Sequence, residues 1–199
     1  ARMTSYRIPT TTIHTEIEVK RSRFIAYLAH IQGNNESKAF IDTLKQKYPD
    51  ARHHCYAFMA GSPTDSNQYG YSDDGEPSGT AGKPMFAHLQ HSDIGEVCIV
   101  VVRYFGGTKL GTGGLARAYS DATKAVIEQA KFKEFIETKT IKLSMDFSLE
   151  AIVRKKINEI GGNIIKADYS NNVLIEAAIP EETALELPYS VVWLSKSAI

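Results

Sequence analysis

The chain has 199 residues, with 23 lysines and arginines balanced by 23 aspartates and glutamates, so its formal net charge is zero. This neutrality argues against a protein that binds nucleic acid over its whole surface, although it is compatible with a local basic patch. The chain shows no N-terminal hydrophobic run typical of a signal peptide and no stretch of membrane-spanning length, and it has only two cysteines. We therefore expect a cytoplasmic protein with reduced thiols.

Alternating apolar and polar residues predict the first elements. Residues 13–19 alternate with period two, which predicts a half-buried antiparallel strand, and residues 24–31 supply its hairpin partner. Apolar side chains four residues apart predict a helix over residues 36–48, with Asn34 or Asn35 as its cap.

The middle of the chain contains two apolar strands separated by a long irregular segment. Residues 55–60 and 97–105 are mainly apolar, and the second run predicts a central strand of a sheet. Residues 61–84 are rich in glycine, proline, serine and aspartate, which indicates a long loop of the kind that is usually functional or disordered. A helix is predicted over residues 112–131.

A composition shift at residues 131–138 marks a boundary, so we predict one domain over residues 1–135 and a second over residues 136–199. The second domain has the predicted order strand, helix, strand, strand, helix, strand, which is typical of a ferredoxin-like fold. The six elements cover residues 141–147, 149–160, 163–169, 173–179, 181–187 and 191–194, with Ser148 as the cap of the first helix and Gly161–Gly162 as its end. The second helix is too short to span a sheet, and Pro188 follows it at once.

The most informative stretch is residues 99–119, where an apolar strand leads through a glycine-rich loop into a helix. The glycines allow positive φ angles or close approach of another molecule, and the start of the helix offers unpaired N–H groups to an anion. Three basic side chains flank the turn. The candidate residues for contact with phosphate or with a nucleic-acid backbone are Arg103, Gly106, Gly107, Lys109, Gly111, Gly113, Gly114 and Arg117.

Two nucleotide motifs fit this stretch poorly. A Walker A motif fails because Thr112 stands where lysine is required. Residues 111–116 match G-x-G-x-x-A, but they lie too far after the strand, and no acidic residue ends a second strand about 20 positions on. An alternative without any ligand stays open, in which the glycines only allow tight packing between strand and helix.

Residues 72–84 form an acidic segment that is rich in glycine. Three carboxylates within four residues could bind a divalent cation, and a partial EF-hand spacing begins at Asp65, but the flanking residues are not helical. We therefore expect no metal, and the simplest interpretation is a solvated acidic turn. The small residues up to Lys83 also suggest a backbone held for contact with a partner. The candidate partner-contact residues are Asp73, Asp74, Glu76 and Lys83.

A third cluster consists of His53, His54 and Cys55. Neighbours in a strand point to opposite faces, so only His53 and Cys55 could share one face, with Cys98 joining them from an adjacent strand. Without a fourth ligand at a recognisable spacing, packing is a better interpretation than zinc binding. We expect no cofactor and identify no catalytic residue.

These segments resemble the YigZ/IMPACT family. The resemblance covers essentially the whole chain and rests on RHHCYAF at residues 52–58, YSDDGEPSGTAGKP at 71–84 and VVVRYFGGTKLGTGGLARAY at 100–119. It implies an α+β protein whose N-terminal two-layer α/β domain is like the second domain of a small-subunit ribosomal protein and domain IV of elongation factor G. It also implies a C-terminal ferredoxin-like domain. The family has no established catalytic residues.

The resemblance also suggests a function. Eukaryotic relatives act in translational control by binding a ribosome-associated activator, but they carry a different accessory domain, so that partner is not transferred. We expect a non-enzymatic cytoplasmic protein of translation-related regulation that contacts RNA, the ribosome or a translation factor, without a membrane partner. Two alternatives stay open. One is an enzyme acting on a small phosphorylated ligand at the glycine-rich loop, and the other is a module that only binds proteins.

Overall fold

The computed structural model describes residues 5–198, with side chains described up to residue 194. Its internal contacts divide the chain into two units, Ala1–Phe135 and Ile136–Ile199. No helix within the described part of the chain is long and apolar enough to cross a bilayer.

From residue 5 onward, unit 1 contains three helices and seven strands, the last of which ends one residue beyond the division between the units. The helices are α1 (Gly33–Lys47), α2 (Gly82–Phe86) and α3 (Gly111–Gln129). The strands are β1 (Ser5–Pro9), β2 (Ile13–Val19), β3 (Ser22–His30), β4 (His53–Met59), β5 (Tyr69–Ser72), β6 (Val97–Tyr104) and β7 (Phe132–Ile136). The predicted hairpin of β2 and β3 and the central strand β6 are confirmed.

The main sheet is antiparallel and has the strand order β2-β3-β6-β4-β5, while β1 and β7 pair separately. Residues 97–103 of β6 are all buried, because helices cover both faces of the sheet. Two residues of β3 that lie on opposite faces of the sheet show that each face has its own apolar cluster. Phe24 packs in a cluster with Tyr119 of α3, whereas Tyr27 packs in a second cluster with Leu44 of α1.

The expectation of two layers is therefore wrong, since α1 forms a third layer opposite α2 and α3. The continuous apolar runs of β3 and β6 are the physical reason, because a strand that is apolar on both sides needs cover on both sides. The predicted cap of α1 is also wrong. The extended residue Gln32 precedes the helix, and the Glu36 carboxylate accepts the Gln32 backbone N–H at 3.1 Å in place of a cap by Asn34 or Asn35.

Two elements that the sequence did not predict begin within residues 61–84, the edge strand β5 and the helix α2. Both are too short for a hydrophobic period to show. Phe86 of α2 stacks against Tyr69 and Tyr71 of β5, with ring centroids 5.0 and 5.2 Å apart. These contacts, rather than local propensity, hold the two elements together.

Unit 2 contains a four-stranded antiparallel sheet in the order β11-β8-β10-β9. Its helix packs Val153 and Ile157 against the sheet and ends at Glu159, and Gly161 follows two residues later with a φ of +81°. The cap of the turn before the helix is Asp146, whose side chain accepts the Ser148 N–H, rather than Ser148 itself. The elements are β8 (Thr138–Met145), α4 (Glu150–Glu159), β9 (Asn163–Tyr169), β10 (Val173–Pro180) and β11 (Val192–Ala198).

The predicted helix at residues 181–187 is wrong. Residues 181–182 form a turn, and residues 183–188 have no regular structure. Pro180 and Pro188 bound this segment, and the space between them is too short to offset the cost of nucleating a helix. Leu185 and Leu187 nevertheless pack against the core of unit 2, so the segment contributes apolar side chains without forming a helix.

Candidate functional site

A cleft of about 800 Å³ lies in unit 1 where β6 ends and α3 begins. This volume falls in the range of small-ligand sites in proteins. The cleft is lined by residues from the start of β4, from the 72–84 segment, and from the end of β6 and the loop that follows it. Its ionisable lining residues are Asp50, Arg52, His53, Glu76, Arg103, Tyr104 and Lys109.

A buried carboxylate forms one wall of the cleft. Both oxygens of Glu76 accept hydrogen bonds from Arg103 Nη1, at 2.9 and 2.8 Å, and one of them also accepts the hydroxyl proton of Tyr119. His53 Nε2 lies 3.5 Å from Glu76 Oε1. A buried charge is tolerated only when it is paired and hydrogen-bonded, so Arg103 is the electrostatic partner that allows Glu76 to lie inside the protein.

The sheet register explains why these groups meet. Arg103 on β6 lies directly opposite His53 on β4 and Phe24 on β3. Burial raises the pKa of the Tyr119 hydroxyl, and the neighbouring Cys55 and Glu76 add to this effect, so Tyr119 stays protonated as a donor. Arg103, which the sequence suggested as a phosphate contact, is 8% exposed and already neutralises Glu76.

Asp73 organises the 72–84 segment from within. Its carboxylate accepts the backbone N–H groups of Gly79, Ala81 and Gly82 at 2.8, 3.1 and 2.9 Å. Partial burial raises the pKa of Asp73, but the three hydrogen bonds to the charged form outweigh it and leave the pKa lowered. Asp73 therefore shapes the approach to α2, which is a structural role.

Asp74 fixes the orientation of the neighbouring histidines. Its carboxylate accepts the His54 backbone N–H at 2.7 Å, and its carbonyl lies 2.8 Å from His53 Nδ1. A carbonyl only accepts, so Nδ1 of His53 carries a proton and its Nε2 is directed to Glu76. The carboxylates of Asp73, Asp74 and Glu76 thus bind groups of this chain, while Lys83 is exposed on α2.

The two cysteines lie on opposite faces of the sheet. Cys55 belongs to the cluster under α3, with its Sγ 3.1 Å from the Asp73 carbonyl, whereas Cys98 belongs to the cluster under α1. Burial raises the pKa of both thiols. The suggestion that Cys98 joins His53 and Cys55 is therefore wrong. Among residues 5–198, no group of three histidine, cysteine or acidic side chains is arranged to hold a metal ion.

The glycines after β6 separate into different physical roles. A Cβ on Gly106 would lie 2.1 Å from the Arg21 carbonyl carbon, so a side chain is sterically excluded there. Gly107 and Gly111 have φ angles of +94° and +75°, a conformation that side chains disfavour. Packing and conformation thus account for three of the five glycines without any ligand.

The other two glycines, Gly113 and Gly114 in the first turn of α3, have no such strong requirement. A Cβ on Gly113 would meet nothing within 4 Å, and one on Gly114 would lie 3.2 Å from Leu110 Cβ. Gly113 is exposed in the first turn of the helix. A glycine at such a position is less stable in a helix than alanine, so the fold alone does not explain Gly113.

The rim of the cleft is positively charged. Lys109 and Arg52 are exposed and line the cleft, and neither forms an ion pair with any other described residue. Gly111 and Thr112 bring the start of α3 to the same cleft, and no side chain caps this helix. Uncapped N–H groups and the helix dipole favour an anion at this position. Arg117 is exposed on α3 but does not line the cleft.

Sequence reasoning missed Arg52, His53 as a cleft residue, and Phe105. Phe105 follows β6 directly, lines the cleft and is 59% exposed. Arg52 is the first residue of the motif RHHCYAF, which is the signal that could have identified it. Its position on the cleft depends on the antiparallel pairing of β4 with β6. That pairing brings the beginning of one strand beside the end of the other.

The geometry defines an α+β protein with a cationic cleft above a neutralised buried carboxylate. Residues 20–127, more than half of the chain, match the model of the Impact N-terminal domain. The chain therefore belongs to the IMPACT family, and the resemblance inferred from the motifs is confirmed.

Relatives of similar length support this assignment. An IMPACT family member of Haemophilus influenzae is 42% identical over 181 residues, which cover 91% of this chain and 88% of the relative. The IMPACT family member YigZ of Escherichia coli is 40% identical over 197 residues, which cover 99% of this chain and 97% of the relative. A crystal structure described as that of a hypothetical protein is 43% identical, with a TM-score of 0.68 and coverage of 89% and 86% of the two chains.

The first prediction concerns Asp73. The folded pKa of Asp73 lies below its unfolded value, so the charged carboxylate stabilises the fold above the unfolded pKa, and this stabilisation is lost as pH falls through the folded pKa. We expect Asp73→Asn to destabilise the protein at pH 7 by about 1–3 kcal/mol, since hydrogen bonds to a charged acceptor are weakened. Thermal unfolding between pH 7 and pH 3 should show the difference from the parent shrinking in acid. A constant difference would contradict this role of the charge.

The second prediction separates the glycines. We expect Gly113→Ala to stabilise the protein by about 0.5–1 kcal/mol, because alanine is the better helix former and the added Cβ meets nothing. Gly106→Ala should destabilise it by about 1–3 kcal/mol, since the backbone must move to admit the side chain. Urea unfolding of both variants measures the effects. A destabilised Gly113→Ala would show that this glycine has a packing role after all.

Proposed function

We propose that this chain is a non-enzymatic cytoplasmic protein of translation-related regulation that contacts RNA, on its own or within the ribosome, through the cleft of unit 1. The observation that carries the proposal is the rim of the cleft, where Arg52 and Lys109 lack ion-pair partners among the described residues and the uncapped start of α3 lies beside them. Charge-free ligands would gain little from this arrangement, whereas a chain of phosphates would pair with it.

Membership of the IMPACT family supports translation as the setting, because its eukaryotic members act in translational control. We also propose a ferredoxin-like fold for unit 2. In unit 2, β10 lies between β8 and β9, which are joined by α4, and this split βαβ arrangement supports a ferredoxin-like assignment. The likeness of unit 1 to a ribosomal-protein second domain and to elongation factor G domain IV stays a prediction.

The third prediction tests the phosphate contact. Lys109→Ala should weaken the binding of RNA of any sequence and reduce the slope of log affinity against log salt by about one unit, because one fewer counterion is released. Fluorescence anisotropy with a labelled mixed-sequence RNA oligomer at several salt concentrations measures both effects. Lys45→Ala is the matched control, since Lys45 is an exposed helical lysine on α1, which covers the opposite face of the sheet from α3.

Two results would contradict the proposal. If RNA affinity does not change with salt, the contact is not with phosphates, and a module that only binds proteins becomes the better interpretation. If Lys109→Ala and Lys45→Ala lower the affinity equally, RNA binds through the general charge of the protein and the cleft has no special part.

A second candidate function is supported by His53. Its Nδ1 is held by the Asp74 carbonyl, and its Nε2 faces Glu76 in the cleft, which is an orientation that a general acid or base requires. The corresponding function is an enzyme that acts on a small phosphorylated ligand. Arg52 and Lys109 would then hold the phosphate of the substrate.

The fourth prediction distinguishes the two functions by thermal unfolding. A ligand stabilises the state that it binds, by about 2.7 kcal/mol at a concentration of 100 Kd. We expect RNA oligomers to raise the Tm in a salt-dependent manner, and we expect sugar phosphates at millimolar concentration to leave it unchanged. A saturable rise with a sugar phosphate that is lost in His53→Gln would favour the enzyme.

A further inference from the structure

Phe105 is an exposed aromatic side chain in the cleft that also holds the cations Arg52 and Lys109. It directly follows β6, lines the cleft and is 59% exposed. The next residue, Gly106, is held tightly, because its N–H donates to Ser22 Oγ at 3.2 Å and its Cα lies against the Arg21 backbone. The backbone that carries the phenyl ring is therefore anchored on β3, and the ring does not sit on a free loop.

The other exposed aromatic side chains of the main sheet have partner rings. Tyr69 and Tyr71 each stack on Phe86. Within the described part of the chain no aromatic ring stacks on Phe105, and its charged neighbour is the Arg103 guanidinium, whose central carbon lies 5.7 Å from the ring centroid. An apolar ring left in water adds little to the stability of the fold, so one face of Phe105 is free to stack on a flat ligand group that enters the cleft.

The buried cation beside Phe105 is incompletely bonded. The Arg103 side chain is 9% exposed, and its Nη1 is bound to Glu76. Its Nε has no hydrogen-bond partner among the described groups. The cleft thus combines an exposed phenyl ring with two rim cations that have no ion-pair partner among the described residues, and the unsatisfied Arg103 donor is buried behind them.

We propose that the cleft binds a single-stranded segment of RNA, with one base stacked on Phe105 and the flanking phosphates at Lys109 and Arg52. This inference rests on the proposed RNA-contacting function of the same cleft and names the form of RNA that it takes. Aromatic side chains beside cationic grooves bind single strands with little sequence preference, because every base has a π face. A duplex cannot use Phe105 in this way, since its bases are already stacked and paired.

The volume of the cleft and its charge distribution agree with this ligand. About 800 Å³ is room for a nucleotide, and after Arg103 neutralises Glu76 the cleft keeps the two cations Lys109 and Arg52 against the single carboxylate of Asp50, which accepts the Tyr104 hydroxyl. The phosphates of a strand are separated by the length of a nucleotide, so one strand can contact cations at two places on the rim while its base lies between them.

The experiment compares Phe105→Leu with the parent protein by fluorescence anisotropy. The probes are a labelled mixed-sequence single-stranded RNA, a blunt duplex of the same sequence and inorganic polyphosphate. We expect Phe105→Leu to lower the affinity for the single strand about ten-fold, a loss of about 1.4 kcal/mol that falls within the range for one stacked base. The affinities for the duplex and for polyphosphate should stay unchanged, and so should the salt slope, because no charge is removed.

Phe147→Leu is the matched control, since Phe147 is an exposed phenylalanine of unit 2 with 49% exposure. It should bind all three probes as the parent does. The thermal unfolding of both variants shows that the protein remains folded, and the unchanged duplex affinity of Phe105→Leu shows that the cleft keeps its shape.

The outcomes separate this inference from the function on which it rests. If Lys109→Ala weakens RNA binding but Phe105→Leu binds the single strand like the parent, base stacking is overturned and the phosphate contact stands. If Phe105→Leu lowers the affinity for the single strand and for the duplex equally, the ring supports the structure of the cleft and stacks on no base. If the parent binds no RNA probe, both the inference and the proposed function fail. Tight binding of an acidic peptide in that last case would identify a protein partner.

Discussion

The buried ion pair between Glu76 and Arg103, together with the hydrogen bond from Tyr119, is the interaction on which the cleft depends. It joins the 72–84 segment to the central strand β6 and to the helix α3. Removing one partner of such a pair leaves an uncompensated charge inside the protein, at a cost of about 3–5 kcal/mol. The three segments that border the cleft are therefore held in one arrangement by a single carboxylate.

This pair also decides where the positive charge of the cleft is available. The charge of Arg103 is neutralised inside the protein, so it adds little to the field at the opening. Lys109 and Arg52 are exposed and supply the positive charge at the rim, which exceeds the single negative charge of Asp50 there. A small anion that needs a deep cationic pocket would bind weakly here, because the available positive charge lies at the rim. An extended polyanion that passes along the rim matches it, which is why the RNA proposal is preferred to that of a small-ligand enzyme.

Local patterns in the sequence predicted the elements whose residue pattern follows directly from the burial of one strand or helix. The alternation in β2 and the apolar run of β6 are visible in the sequence because each reflects the environment of one strand. The third layer formed by α1 was missed although β3 and β6 are apolar on both faces. The short elements β5 and α2 were missed because tertiary contacts such as those of Phe86 hold them.

The candidate site was less predictable, because its contacts join residues that are far apart in the chain. Glu76 lies among aspartates and serines, and this composition is typical of a solvated turn. Its burial depends on Arg103, 27 residues away, and on Tyr119, 43 residues away. The sequence around Arg103 is equally typical of an exposed cation near the end of a strand, and only its pairing with Glu76 shows that it is buried. Arg52 reaches the cleft only through the register of β4 against β6.

The glycines show how one sequence motif can contain several physical causes. Gly106 is required by the close approach of the Arg21 backbone, and Gly111 by its positive φ angle. Gly113 meets neither condition, yet a glycine in a helix is about 1 kcal/mol less stable than alanine. Natural proteins accept such losses where function needs them. A bare backbone in the first turn of α3, next to the cleft residue Thr112, leaves room for a phosphate to approach the helix N–H groups. Gly113 is thus the glycine that the proposed contact explains and the fold does not.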